Sequence, residues 1–173
     1  AFVTTWQLSE EDTTLTLPLR PGYEYSFTVD WGDGTPASTI TSHSDTDRIH
    51  VYAEPGTYSV RVQGKLEAWY FNNGGDKDKL IEVPNLGDVG WRSLEGAFDG
   101  CSQLEVVRGG ITDRVSTMRA MFRNATRARP ETQSWDTSGV IDMALMFDNA
   151  QDAVPTTGDW NTSRVVSFEA MFR

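Results

Sequence analysis

One cysteine, two histidines and three lysines stand among 173 residues. The single thiol, Cys101, excludes an intrachain disulfide and a thiolate zinc site, so cysteine usage leaves the redox compartment open. His43 and His50 lie seven apart with no zinc-type spacing around them, and each reads as a packed strand histidine. No run nears the ~18–20 apolar residues that a membrane span needs, so no membrane span is expected. Positive charge is short overall. Fifteen Lys and Arg against 25 Asp and Glu leave a net charge of −10, which repels a phosphate backbone and excludes nucleic acid as a partner. Also missing are an initial methionine and a charged-then-apolar leader, because the chain opens at Ala1-Phe2. That suits an excised or processed segment.

What is present argues for packing. The apolar fraction is 38% and six tryptophans stand among 11% aromatics, too much for a disordered polymer. From Phe2 to Gly64 the text alternates with period two, as in Leu15-Thr16-Leu17, Tyr23 to Val29 and Tyr58-Ser59-Val60-Arg61-Val62. Such half-buried strands are punctuated by Pro21-Gly22, Gly32-Asp33-Gly34-Thr35-Pro36 and Glu54-Pro55-Gly56, which predicts a small antiparallel sandwich over 1–66.

Beyond Asp88 a repeat takes over. Phe98, Phe122, Phe147 and Phe172 are spaced by 24, 25 and 25 residues, and Leu94, Met118, Met143 and Phe168 keep the same interval. Val115, Val140 and Val165 follow it, as do Thr112, Thr137 and Thr162, Trp135 and Trp160, and the small column Cys101, Ala125 and Ala150. A period of this length predicts stacked coils of the leucine-rich type over 94–173, each burying its columns on a neighbour. The apolar triplet Met118, Met121, Phe122 predicts a short helix in each coil, and Leu104 to Val107 a strand. Residues 67–93 read as a junction and irregular first coil that caps the stack. The array is expected to continue past Arg173 with further repeats.

Two stretches resemble known families. Asp30-Trp31-Gly32-Asp33-Gly34-Thr35, followed by His50-Val51-Tyr52-Ala53-Glu54-Pro55-Gly56-Thr57-Tyr58-Ser59-Val60, resembles the WGDG and H-x-Y-x-x-P-G-x-Y-x-V motifs of PKD-like sandwich modules. Ala97-Phe98-Asp99-Gly100-Cys101-Ser102-Gln103-Leu104 resembles the A-F-x-x-C-x-x-L of BspA-like leucine-rich repeats. Trp135 to Phe147 resembles the W-D-x-S-x-V-x-x-M-x-x-M-F repeat of the BspA-like, DUF285 surface proteins. The resemblance implies a mixed fold: an Ig-like all-β sandwich, then a right-handed α/β leucine-rich-repeat-like solenoid, truncated at the C-terminus. Trp31, Gly32, Asp33, Gly34, His50 and Tyr58 are then structural residues of the sandwich, and the Phe, Met, Trp and Cys101 columns those of the coils. It also implies an extracellular or cell-surface protein of attachment or recognition.

The residues themselves point away from chemistry. Conspicuous polar groups recur with the repeat, whereas a catalytic set occurs once; Asp136 becomes Asn161 beside Ser138 and Ser163, and no histidine follows His50. The expectation is a non-enzymatic adhesion module for a surface protein or glycan of a host or neighbouring cell. Specificity is placed on the non-repeating Arg127, Arg129, Glu131 and Gln133, set against Gln151, Asp152, Thr156 and Thr157. Trp69, Tyr70, Phe71 and Trp91 lie outside the repeated columns, as a sugar-binding surface or as a junction core. Asp30, Asp33 and Asp47 are the acids that would suit calcium, although Asp33-Gly34 reads more simply as a turn; no other cofactor is expected. Asn124 and Asn161 open glycosylation acceptor patterns. A stalk segment without a ligand of its own stands as the alternative, and a glycan-active enzyme as a remote third.

Overall fold

The computed structural model describes residues 1–173, with nine strands and no α-helix. In chain order these are β1 (Phe2–Leu8), β2 (Thr14–Thr16), β3 (Tyr25–Asp30), β4 (Ser38–Ile40), β5 (Ile49–Val51), β6 (Gly56–Leu66), β7 (Leu80–Asn85), β8 (Val106–Val107) and β9 (Arg129–Pro130). Alternation decides the first half. Along β3, Tyr25, Phe27 and Val29 are buried while Ser26, Thr28 and Asp30 face solvent, as period-two geometry requires. β2 and β5 pair as a small second sheet, and Leu15, Leu17, Trp31, Ile40, Tyr52 and Val60 fill the space between the layers.

The PKD-type motif residues hold that sandwich together. His50 stacks on Trp31 with ring centroids 4.6 Å apart and planes 7° from parallel. The Tyr52 hydroxyl donates to the Trp31 carbonyl at 2.9 Å, and Tyr58 stacks on Tyr52 at 4.0 Å. Gly32 has φ +77°, and a Cβ there would lie 2.2 Å from the Ser59 carbonyl oxygen, so only glycine fits beneath β6.

The main sheet does not stop at the end of the sandwich. Its order is β4-β3-β6-β1-β7-β8-β9; β1 is antiparallel to both β6 and β7, and β7, β8 and β9 run parallel. β1 therefore lies between the last strand of the sandwich and the first strand of the repeat region. Beneath it, Phe2 packs edge-on against Trp69 at 4.9 Å and Trp91 at 5.1 Å. One continuous apolar core runs from Phe2 to Met171.

The repeat region is a stack of coils joined by parallel bridges at Ala68, Ser93, Thr117, Asp142 and Ser167. The helix predicted over Met118–Phe122 is absent. Its place is taken by tight turns, in which Met121 N–H donates to the Met118 carbonyl at 3.1 Å and Ala125 N–H to Phe122 at 3.0 Å. The alternate N–H groups go elsewhere: those of Met118, Ala120, Phe122 and Asn124 donate at 2.8–3.0 Å to the carbonyls of Asp142, Ala144, Met146 and Asp148 in the next coil. Donors committed sideways cannot form the i→i−4 ladder of an α-helix. The same exchange links Leu94, Gly96, Phe98 and Gly100 to Thr117, Arg119, Met121 and Arg123. The phenylalanines stack along the axis at 5.5, 5.6 and 5.3 Å from Phe98 to Phe172. Leu94, Met118 and Met143 lie fully buried beside them, while Phe168 is half-exposed in the last coil. Trp135 lies over Phe122 at 6.2 Å and donates to the Gly109 carbonyl at 2.9 Å; Trp160 donates to Thr132 at 3.3 Å.

Candidate functional site

Register pairs Ser59 with Thr5, Thr5 with Glu82, Glu82 with Val106 and Val106 with Arg129. Paired residues share a side of a sheet, so one row runs from the sandwich across β1 onto the coils, on the face turned away from the core. At the coil end this face sinks into a shallow groove of about 190 Å³ lined by Glu105, Val106, Arg127, Arg129 and Asp152. It continues over Pro130, Glu131, Gln133, Val154 and Thr156.

The structure thus brings together Arg127, Arg129, Glu131 and Gln133 with Asp152 and Thr156 from the other non-repeating set. Their charges are answered locally. Arg129 pairs with Asp152 at 3.1 Å and Arg127 with Glu105 at 2.7 Å. Arg108 reaches both Glu82, at 2.6 Å, and Glu131, at 2.9 Å; the hydrogen bonds it donates to these two carboxylates raise its guanidinium further above its ordinary range. The Arg129 side chain remains 71% exposed, so the groove offers guanidinium, carboxylate and amide groups on a rigid β floor. Glu82, Glu105 and Arg108 belong to this surface although sequence reasoning did not single them out; the only signal was their place beside the strand residues of successive coils.

The junction aromatics have a different role. Trp69 and Trp91 are each 1% exposed, because they close the joint under Phe2, and they have no ring face left for a sugar. Phe71 is buried with them. Tyr70 stays at the surface, where the Arg20 guanidinium lies 3.8 Å above its ring and pairs with Glu95 at 3.2 Å.

The acids considered for calcium are not gathered. Asp30 Oδ1 accepts the Gly32 N–H. Asp33 Oδ1 accepts from Thr35 and Asp33 Oδ2 bonds His50 Nε2 at 2.7 Å, while Asp47 donates its backbone N–H to Asp45 within a single 3₁₀ turn. No group of three or more His, Cys, Asp or Glu side chains is placed to hold a metal ion. Burial opposes ionisation of Asp33, but hydrogen bonds from Thr35 and His50 outweigh it and hold the carboxyl at about 2. Cys101 is buried, and loss of solvent pushes its thiol well up. Two of the three column threonines are spent internally: Thr112 and Thr137 donate their hydroxyls to the carbonyls of Asp136 and Asn161 at 3.0 and 3.1 Å, while Thr162 in the last coil is exposed. Asn124 and Asn149 take positive φ and form a short amide ladder at 3.2 Å, so Asn124 is structural. Asn161 is exposed.

Comparison with known families fits this division. Residues 4–69 match the PKD domain family, and residues 92–173 match the family described as "Mycoplasma protein of unknown function, DUF285". A PKD domain is followed by a DUF285 region. No curated protein and no solved structure matches the chain. Residues 70–91, between the two matched segments, carry Trp91 of the aromatic joint and contribute β7 to the shared sheet. No helix of the chain is long and apolar enough to cross a membrane.

Proposed function

We propose that this PKD–DUF285 unit is a non-enzymatic recognition module of an extracellular or cell-surface protein, presenting its coils as a leucine-rich-type solenoid. Its ligand is a protein or glycan, engaged through the groove on the outer face of β7, β8 and β9. The observation that carries this reading is the continuity of that face: Thr5, Glu82, Val106 and Arg129 stand in one register across both modules, beside the non-repeating residues that the stack does not dictate. The surface-protein setting rests on the two families together. What supports a non-catalytic reading is that recurring polar residues, Thr112, Thr137, Asn124 and Asn149 above all, are consumed in joining coil to coil.

Such a surface binds as a rigid body. The test is a broad array of surface proteins and glycans, run with calcium and with EDTA. Arg129→Ala and Gln133→Ala variants are included, with Tyr70→Ala to report on the junction. Arg129→Ala is expected to weaken a saturable hit by about tenfold, or ~1.4 kcal/mol, with the same curve in calcium and EDTA. Silence across the array, with circular dichroism unchanged, would overturn this reading and favour a stalk.

A further inference from the structure

The apolar columns do not tell the coil that begins at Val106 from the one that begins at Arg129. Phe98, Phe122 and Phe147 are the same residue, as are Met118 and Met143, Met121 and Met146, and Val115 and Val140. A chain with interchangeable layers is open to skipped-coil and swapped-coil stacking, since each wrong pairing buries the same side chains. Charge is what differs. Measured from strand to strand, coil 82–105 carries Glu82, Asp88, Glu95, Asp99 and Glu105 against Arg92. Coil 106–128 inverts this, with Arg108, Arg114, Arg119, Arg123 and Arg127 against Asp113. Residues 129–153 invert it again, with Glu131, Asp136, Asp142, Asp148 and Asp152 against Arg129.

The structure uses the inversion. Four of the five arginines of the basic coil reach acids in the coils on either side: Arg108 to Glu82 and Glu131, Arg119 to Asp142, Arg123 to Asp99, and Arg127 to Glu105. The deepest pair is inside the stack, where the Asp99 side chain has no exposure and accepts from both Nε and Nη2 of Arg123. Along that column the residues alternate Asp99, Arg123, Asp148, Arg173, and Arg173 pairs with Asp148 at 3.0 Å.

We propose that the alternation of coil charge is the register key of the stack: the basic coil 106–128 fits only between the acidic coils before and after it. If residues 106–128 were looped out, 129–153 would stack on 82–105, setting carboxylates against carboxylates and burying Asp99 without its guanidinium. Exposed ion pairs add little to stability one by one. Their value here is discrimination, because a misregistered stack loses the whole set at once and gains like-charge contacts.

The test is refolding from urea at low and high salt, with the monomeric fraction measured by size exclusion and native register by hydrogen exchange of the intercoil amides. In one variant Arg108, Arg119 and Arg127 are replaced by Gln. In a second the signs are exchanged: Arg108, Arg119 and Arg127 become Glu, and Glu82, Glu105, Glu131 and Asp142 become Arg. The unaltered chain is expected to refold to one monomeric species at low salt. The Gln variant is expected to give a several-fold larger swapped or misregistered fraction, and the exchanged variant to restore the single species. A Gln variant that refolds as cleanly as the parent would overturn the proposal. So would an exchanged variant that fails to restore register, since that would make the arginine side chain, and not its charge, the determinant.

Discussion

At the scale of single residues, the sandwich and the coils both place a carboxylate where the fold has already supplied its donors. Asp33 sits at a turn with Thr35 on one oxygen and His50 on the other, and its carboxyl is held at about 2 against an ordinary 3.8. A carboxyl whose folded pKa is depressed adds stability above its unfolded pKa, and that stability is lost as pH falls toward the folded value. Asp33→Asn is therefore expected to cost roughly 1–2 kcal/mol at neutral pH. It should also flatten the fall in stability between the ordinary and the depressed pKa, as read from urea midpoints along a pH series; a variant with the parent's pH profile would contradict the assignment. Asp99 makes the complementary point in the coils. It is fully buried beside Arg123, and the column that follows the phenylalanines alternates Asp99, Arg123, Asp148 and Arg173, although the sequence does not show which of these acids is buried.

At the scale of elements, the coil is built from turns that share their backbone with neighbours. Gly96, Ala120, Leu145 and Ala170 occupy one column and all have positive φ, between 49° and 60°. Only the first is glycine. An L-residue with a side chain is strained in that conformation by about 1 kcal/mol, so Ala120→Gly is expected to raise stability by roughly 0.5–1 kcal/mol despite glycine's larger unfolded entropy. A fall in the thermal midpoint would show that the Ala120 methyl contributes more by packing than the turn loses by strain. Four residues on, Gly100, Asn124 and Asn149 all have positive φ, and at Gly100 a Cβ would also lie 2.2 Å from Asn73 Oδ1.

These turns also explain where sequence reasoning fell short. The period, the buried columns, the sandwich strands and the strand Val106–Val107 were legible, because burial repeats with geometry. The turn was mistaken for a helix because Met118, Met121 and Phe122 have the same i, i+3, i+4 spacing in either form. The difference lies in N–H groups whose acceptors are 24 residues away. Trp69 was misplaced outside the repeat because the residue type changes there, although it stands 25 residues before Leu94 and follows the bridging Ala68 as Leu94 follows Ser93. At the groove, Arg127 and Arg129 stood out by breaking the repeat, whereas their partners Glu105 and Asp152 depend on strand register and were not visible as partners.

At the scale of the molecule, the two family segments are one body. β1 is hydrogen-bonded on one side to β6 and on the other to β7. Its first residue, Phe2, closes the aromatic joint with Trp69 and Trp91, and no solvent-filled linker separates their cores. Cutting the chain between the matched segments would remove β7 from β1 and expose Trp69 and Trp91, burial worth roughly 2–3 kcal/mol for each large side chain. The groove's floor is part of this shared sheet, so its geometry depends on the sandwich as well as on the coils. The most direct measurement is equilibrium urea unfolding, followed by tryptophan fluorescence and by hydrogen exchange at Val60 in β6 and at Phe122 in the intercoil ladder. One shared structure predicts a single transition, with both amides opening at the same free energy. Loss of protection at Phe122 while Val60 stays protected would contradict it.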